Sequence, residues 1–271
     1  MVSLLHGDCL ELMKNIPDKS IDLILCDLPY NTTKLKWDIP IPFDVLWKQY
    51  ERIIKSERAI VLFAQQPFTT LLISSNMKLW KYNWIWEKEN GTNFMNSHYC
   101  PLKVTEDICV FGDGGVSPSK GKHLRYFPQF VFGNPYIRKS RCGKRAITRQ
   151  NDESAVIRDS GATGYVTKSD GRRYPTNVLT YNRDKEKYHP TQKPVALLEY
   201  LIETYTLAGE TVLDNCLGSG STGVAAVNTR RNFIGMEKDK FYYDIAKRRI
   251  DKASESQSLF NYEICSIVGG K

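Results

Sequence analysis

The sequence predicts an α/β protein of three layers, a Rossmann-like sheet between helices, interrupted by one basic insertion. Over the first ~110 residues, short apolar runs alternate with amphipathic stretches, the rhythm of βαβ units. A Gly-rich turn, Gly218-Ser219-Gly220-Ser221-Thr222-Gly223, separates a strand-like run from a helix-like one, and the acid Glu237 closes the next strand. Only 34 residues follow Glu237, too few for the second half of a sheet. The missing strands must therefore come from the N-terminal half of the chain.

The elements follow in order. Ser20–Asp27 is a nearly continuous apolar run, as expected of a parallel strand buried on both faces. Between Pro42 and Lys55, Phe43, Leu46, Tyr50 and Ile53/Ile54 recur at helical spacing. Ala59–Ala64 reads as another buried strand, Pro67–Ser75 as a helix, and Tyr82–Trp86 and Asp107–Phe111 as two more strands. From Gly112 to Gly121 repeated Gly and Pro break any regular element. Order resumes at His189-Pro190-Thr191-Gln192-Lys193-Pro194. Pro194 suits the first turn of a helix reaching about Leu207, with Leu198, Leu201/Ile202 and Tyr205 on one face. A strand (Thr211–Asp214), the Gly-rich turn, a helix, a strand (Asn232–Glu237) and a helix (Lys240 to about Lys252) complete the set, and the residues from Ser254 are expected to be peripheral.

The charge is uneven. Residues 113–188 hold 16 Lys and Arg against 7 Asp and Glu, whereas the remainder holds 22 against 23. The whole excess of +8 thus sits in one internal segment, as in a polyanion-binding module. A solvated loop would be poor in aromatics. Here Tyr126, Phe127, Phe130, Phe132, Tyr136, Tyr165, Tyr174, Tyr181 and Tyr188 interleave with Arg125, Arg138, Lys139, Arg141, Arg172 and Arg173, which are the candidate polyanion-binding residues. The expected organisation is 1–112 and 189–271 as two halves of one sheet domain, with 113–188 inserted. Nothing approaches the ~20 apolar residues of a membrane helix, and the first residues show no secretory signal. Seven scattered cysteines without a Cys-x-x-Cys pair read as reduced thiols and make a metal site unexpected.

Two motifs carry chemistry. Gly218-Ser-Gly220-Ser-Thr-Gly223 matches the dinucleotide fingerprint, and Glu237 lies where an acid grips a ribose hydroxyl. That keeps a nicotinamide-dependent oxidoreductase as one reading. Asp214, at the strand end before the turn, would repel a pyrophosphate and suits a cationic amino-acid moiety instead. The second motif, Asp27-Leu28-Pro29-Tyr30, ends the Ile21–Cys26 strand, the edge where α/β folds place reactive groups. An exocyclic amine is a poor nucleophile because its lone pair is delocalised into the ring. Asp27 and the Leu28 carbonyl, held rigid by Pro29, could accept both N–H bonds and localise that pair, while Tyr30 offers a face to an extruded base.

Together, Asp27-Leu-Pro-Tyr30 and Asn215-Cys-Leu-Gly218-Ser-Gly220 resemble the DNA amino-methyltransferases. The order of catalytic motif, basic segment and cofactor loop resembles the beta group, from Leu5 to about Ile250. The resemblance implies S-adenosylmethionine as cofactor, double-stranded DNA as partner and a target-recognition segment at 113–188. Adenine N6 is the favoured target because Asp27 opens the tetrapeptide; cytosine N4 and an RNA substrate are the alternatives. Carried over, Asp8 would meet the cofactor's adenine and Glu237 its ribose, and Asp214, Gly218 and Gly220 would line the methionine portion. Thr191 and Lys193 match a further cofactor-contacting block, and Cys9, Asp27, Cys216, Ser219 and Thr222 complete the cofactor set. Two departures stand out. Leu28 replaces a proline in a role that needs only a backbone carbonyl, and Cys216 replaces a phenylalanine that packs near the cofactor. A homodimer and a cognate restriction endonuclease are further partners that the sequence does not decide; a bacterial or phage-infected cytoplasm is the expected setting. His189 is expected to fix a local turn, and Trp80, Trp84 and Trp86 to serve as core or wall.

Overall fold

In a computed structural model, residues 1–30, 39–118, 121–141, 156–157 and 164–268 are described, with only the backbone given for 139–141, 156–157, 164–165 and 258–268. The chain divides into two compact units, Met1–Phe127 with Asn177–Lys271, and Pro128–Thr176.

The larger unit holds β1 (Val2–His6), α1 (Cys9–Met13), β2 (Ile21–Asp27), α2 (Phe43–Ile53), β3 (Ile54–Ala64), α3 (Phe68–Ser75), β4 (Trp80–Thr92) and β5 (Lys103–Phe111). The smaller unit contributes β6 (Val131–Phe132), β7 (Tyr136–Arg141), β8 (Val156–Ile157), β9 (Gly164–Ser169) and β10 (Arg172–Arg173). The larger unit resumes with β11 (Val178–Thr180), α4 (Val195–Tyr205), β12 (Thr211–Asp214), α5 (Ser221–Asn228), β13 (Asn232–Glu237) and α6 (Lys240–Val268).

Its sheet runs β1-β13-β12-β2-β3-β5-β4-β11. Only β5 is antiparallel to its neighbours. The N-terminal strand lies beside the last one, and β12 lies beside β2, with Val212 opposite Leu23. Strands from the N-terminal and C-terminal parts of the sequence therefore interleave.

Period-two alternation explains the three layers. Leu23 and Leu25 of β2, with Val61 and Phe63 of β3, join one core with α4, α5 and α6. Ile24 and Cys26, with Ile60 and Leu62, join the other core with Met13, Leu46, Tyr50 and Leu72 of α1, α2 and α3. A strand buried on both faces has no polar register to offer, which is why β2 reads as one apolar run. Trp84 and Trp86 are buried core residues, and His189 accepts the Thr191 amide at Nδ1 (3.2 Å).

Two boundaries differ from the composition-based ones. The smaller unit begins at Pro128 and ends at Thr176, inside 113–188. Leu124 and Leu179 on its flanks are buried in the main core, and β11 pairs with β4. A charge count registers the basic residues of these flanks but not the apolar ones that pack. α6 also runs well past Lys252. Among the described residues no helix is long and apolar enough to cross a membrane.

In the smaller unit, β7 pairs antiparallel with β9, which also pairs with β8, and β10 pairs with β6. Arg172 lies 5.6 Å from the Phe130 ring centroid and Arg173 4.8 Å from that of Tyr136. Phe132 and Ile137 are exposed. Arg138 is also exposed, while the side chains of Lys139, Arg141 and Tyr165 lie outside the described residues. Arg125 belongs to the larger unit, where it pairs with Glu210 (2.5 Å) beside an Arg58–Glu210 bridge (2.9 Å). Its guanidinium is engaged within the fold.

Candidate active site

Parallel strands end on a common edge, so topology alone gathers β1, β13, β12 and β2 at one cleft. It measures about 610 Å³ and is lined by Asp8, Cys9, Asp27, Leu28, Pro29, Tyr30, Thr191, Lys193, Asp214, Cys216, Gly218, Ser219, Thr222 and Glu237. Of the residues expected to bind cofactor or catalyse, only Gly220 is absent from the lining. It stands behind, with φ +84° at the N-cap of α5, where a Cβ would lie 2.8 Å from that of Ala246. Only glycine fits that approach of α5 to α6.

Two carboxylates, Asp214 and Glu237, mark one half of the cleft, where cofactor contacts are expected. Asp214 is buried and accepts the Cys216 amide (3.0 Å); burial pushes its carboxyl up to about 6. Glu237 accepts the amides of Gly218 (2.7 Å) and Asp239 (2.8 Å), and burial pushes it up as well. Among the described residues neither forms an ion pair with a lysine or arginine, and their backbone donors are amides. Buried carboxylates lacking a cation are costly, and they fit a ligand that brings positive charge. Asp8 caps α1 through the Leu10 amide (3.0 Å) and meets Lys238 (3.1 Å). Burial pushes its carboxyl up, but Lys238 and that amide outweigh burial and hold it below the usual aspartate value. The Cys216 thiol accepts from Asn215 Nδ2 (3.5 Å), whose Oδ1 takes the Tyr50 hydroxyl (2.6 Å), so the cofactor loop is anchored to α2.

The half of the cleft around Asp27 is an ionic network. Tyr30 donates its hydroxyl to Asp27 Oδ1 (2.6 Å) and Glu106 Oε1 (3.2 Å), and its ring stacks on Phe68 at 4.8 Å. Lys193 Nζ lies 2.8 Å from Asp27 Oδ2 and 2.6 Å from Glu106 Oε1. Lys88 Nζ meets the other Glu106 oxygen at 2.7 Å. Two acids and two lysines thus balance in charge, with Glu106, Lys193 and Lys88 largely buried. Burial pushes Glu106 up, but Lys193 and Lys88 outweigh it and hold the carboxyl at about 2. Asp27 shares one lysine rather than holding two; burial keeps it above the usual aspartate value despite that lysine. Burial disfavours the Lys193 charge, yet its two carboxylates keep it firmly protonated.

Glu106 and Lys88 are the residues that sequence reasoning missed. Both lie just outside the runs read as strands, Lys88 after Tyr82–Trp86 and Glu106 before Asp107–Phe111. Because β5 runs antiparallel, its beginning lies at the edge where the parallel strands end, and Glu106 faces Trp86 in the register. Lys193, expected among the cofactor contacts, is instead paired with Asp27.

A family model described as DNA methylase matches residues 21–248. The chain belongs to the DNA methylase family. Among its relatives, the "Type II methyltransferase M.HinfI" of Haemophilus influenzae is 29% identical over 92% of this chain and 68% of its own. The "DNA adenine methyltransferase YhdJ" of Escherichia coli is 27% identical over 93% of this chain and 83% of its own. The crystal structure of the M1.HpyAVI–SAM complex superposes with a TM-score of 0.56 at 22% identity, covering 92% of this DNA methylase and 99% of that chain. The Asp27–Tyr30 tetrapeptide and the Gly-rich turn both fall inside the family match.

Proposed function

We propose that this DNA methylase transfers the methyl group of S-adenosylmethionine to N6 of an adenine turned out of double-stranded DNA. The observation that carries this is the adjacency of β2 and β12, which opens one cleft to Asp27 on one side and to Asp214 and Glu237 on the other. YhdJ, a DNA adenine methyltransferase by name, supports adenine as the base. Bound in that cleft, S-adenosylmethionine supplies an electrophilic methyl group on a sulfonium.

The residues of the chain do the rest. Asp214 offers charge to the cationic cofactor, and Glu237, its carboxylate fixed by two backbone amides, offers acceptors to the ribose hydroxyls. Thr191, Gly218, Ser219 and Thr222 wall the same side. Asp27 and the Leu28 carbonyl accept the two amine protons and draw the nitrogen lone pair toward attack. Tyr30, backed by Phe68, stacks on the base. Positioning supplies most of the rate, because no covalent enzyme intermediate is required. Transfer of labelled methyl to unmethylated duplex, and not to RNA of the same sequence, tests this reading.

Affinity for S-adenosylmethionine should depend on pH through Asp214. Its carboxyl titrates at about 6, so the charge opposing the cofactor is present above that pH and lost below it. Calorimetry should show binding weakening as the pH falls from 7 toward 5 (about one decade per pH unit at the limit) with proton release on binding. Equal affinity at both ends would remove Asp214 from the cofactor site.

Residues 128–176 are proposed to form the recognition surface, with Arg138, Lys139, Arg141, Arg172 and Arg173 meeting phosphates or base edges. Replacing Arg172 and Arg173 together by serine should lower the log–log salt slope of DNA binding by about one to two. A slope equal to that of the unaltered protein would place recognition elsewhere.

A further inference from the structure

Asp27 has to satisfy two opposed demands. It must stay ionised to accept an amine proton, and it must remain a strong enough acceptor to polarise that amine. A lysine paired with Asp27 alone would secure the first and weaken the second, because a fully committed cation draws charge off the carboxylate.

The network around Asp27 is built to divide that cation. Lys193 is 92% buried by side-chain area and stands between two carboxylates, closer to Glu106 (2.6 Å) than to Asp27 (2.8 Å). Glu106 is itself buried and is held from the far side by Lys88 at 2.7 Å, whose side chain is only 10% exposed. Tyr30 spans the same two acids through its hydroxyl. Among the described residues each oxygen of Asp27 carries one protein donor, Tyr30 on Oδ1 and Lys193 on Oδ2, and each oxygen has a second lone-pair direction that an amine could use. Neither Glu106 nor Lys88 lines the cleft, so both act through Lys193 and Tyr30 rather than on substrate.

We propose that Glu106, fixed by Lys88, is a positioning residue that shares Lys193 with Asp27 and thereby sets the proton affinity of the catalytic carboxylate. This rests on the methyltransferase reading for its consequence in turnover, but the effect on Asp27 is a property of the unliganded chain. Glu106→Gln keeps the shape and removes the charge, so Lys193 turns wholly to Asp27 and lowers its proton affinity. Lys88→Met has the opposite effect: Glu106 loses its far partner and takes more of Lys193, raising the proton affinity of Asp27. Lys88→Arg restores the charge and should restore the unaltered value.

The test is a carbon-13 carboxyl NMR titration of the cofactor-free protein, with the Asp27 resonance assigned through Asp27→Asn. The expected midpoint shifts are downward for Glu106→Gln and upward for Lys88→Met, each by about one pH unit, the low end for one adjacent charge. The acid limb of the kcat profile should move in the same directions, with kcat of Glu106→Gln falling about tenfold and KM for S-adenosylmethionine within about twofold. A merely structural Glu106 would lower the melting temperature in both variants while leaving the Asp27 midpoint in place, and that result overturns the proposal. Should either variant fail to fold, Lys88→Gln and Glu106→Asp must still displace the midpoint, upward and by a smaller step respectively; unmoved midpoints overturn it equally. Shifted midpoints in a wild-type protein inactive on every DNA would sustain the proposal and refute the methyltransferase reading instead.

Discussion

Asp27→Ala should abolish methyl transfer, with kcat falling about a thousandfold or more, the loss expected when a preorganised group at the reacting atom is removed. Binding of S-adenosylmethionine should stay within a few fold, because Asp214 and Glu237 stand on other strands and their hydrogen bonds do not involve Asp27. The variant should also fold. Lys193 keeps Glu106 at 2.6 Å and the Tyr30 hydroxyl keeps the same carboxylate at 3.2 Å, so no buried donor loses its last acceptor. Asp27→Asn retains one acceptor oxygen and is expected to fall between the two. Labelled methyl transfer beside calorimetric titration separates the effects. Turnover above about a tenth of wild type in Asp27→Ala would exclude Asp27 as the essential acceptor, since a tenfold loss is a mere 1.4 kcal/mol.

Lys193→Met should strike stability as well as turnover. Removing one partner of a buried ion pair commonly costs about 3–5 kcal/mol, since the remaining charge stays desolvated and uncompensated. Here two carboxylates lose their shared cation, and Lys88 is left to serve Glu106 alone. The pH dependence has a definite sign. Without Lys193 the folded-state pKa of Asp27 rises further above its unfolded value, so the folded state gains relative proton affinity. The penalty is full above that raised pKa and shrinks as the pH falls through it. Denaturant titration at pH 8 and pH 5 should therefore show a larger loss at pH 8. A uniform loss at both values would mean that Lys193 contributes packing rather than charge.

Much of this was legible in one dimension. The strand before Asp27 is apolar on both faces because helices cover both, and that double burial leaves a continuous run in the sequence. The Gly-rich turn is legible because Gly220 occupies a left-handed backbone conformation against Ala246 that other residues would not tolerate. The ionic network was not legible. Glu106 sits near the start of a strand whose direction no local pattern encodes, and its partners Lys88, Tyr30 and Lys193 lie 18, 76 and 87 residues away along the chain. Arg125 illustrates the converse. Its neighbourhood reads as part of a basic patch, yet Glu210, distant in sequence, ties it into the sheet domain.

The central claim is transfer to the amine of adenine, and nucleoside analysis tests it most directly. Unmethylated duplex DNA of varied sequence is incubated with the protein and S-adenosylmethionine carrying a labelled methyl group, then digested to nucleosides and separated. The account predicts label in N6-methyladenosine of the deoxy series, dependent on Asp27. Label confined to N4-methylcytosine would contradict the choice of base, and no label in any nucleoside, despite cofactor binding, would contradict the account itself.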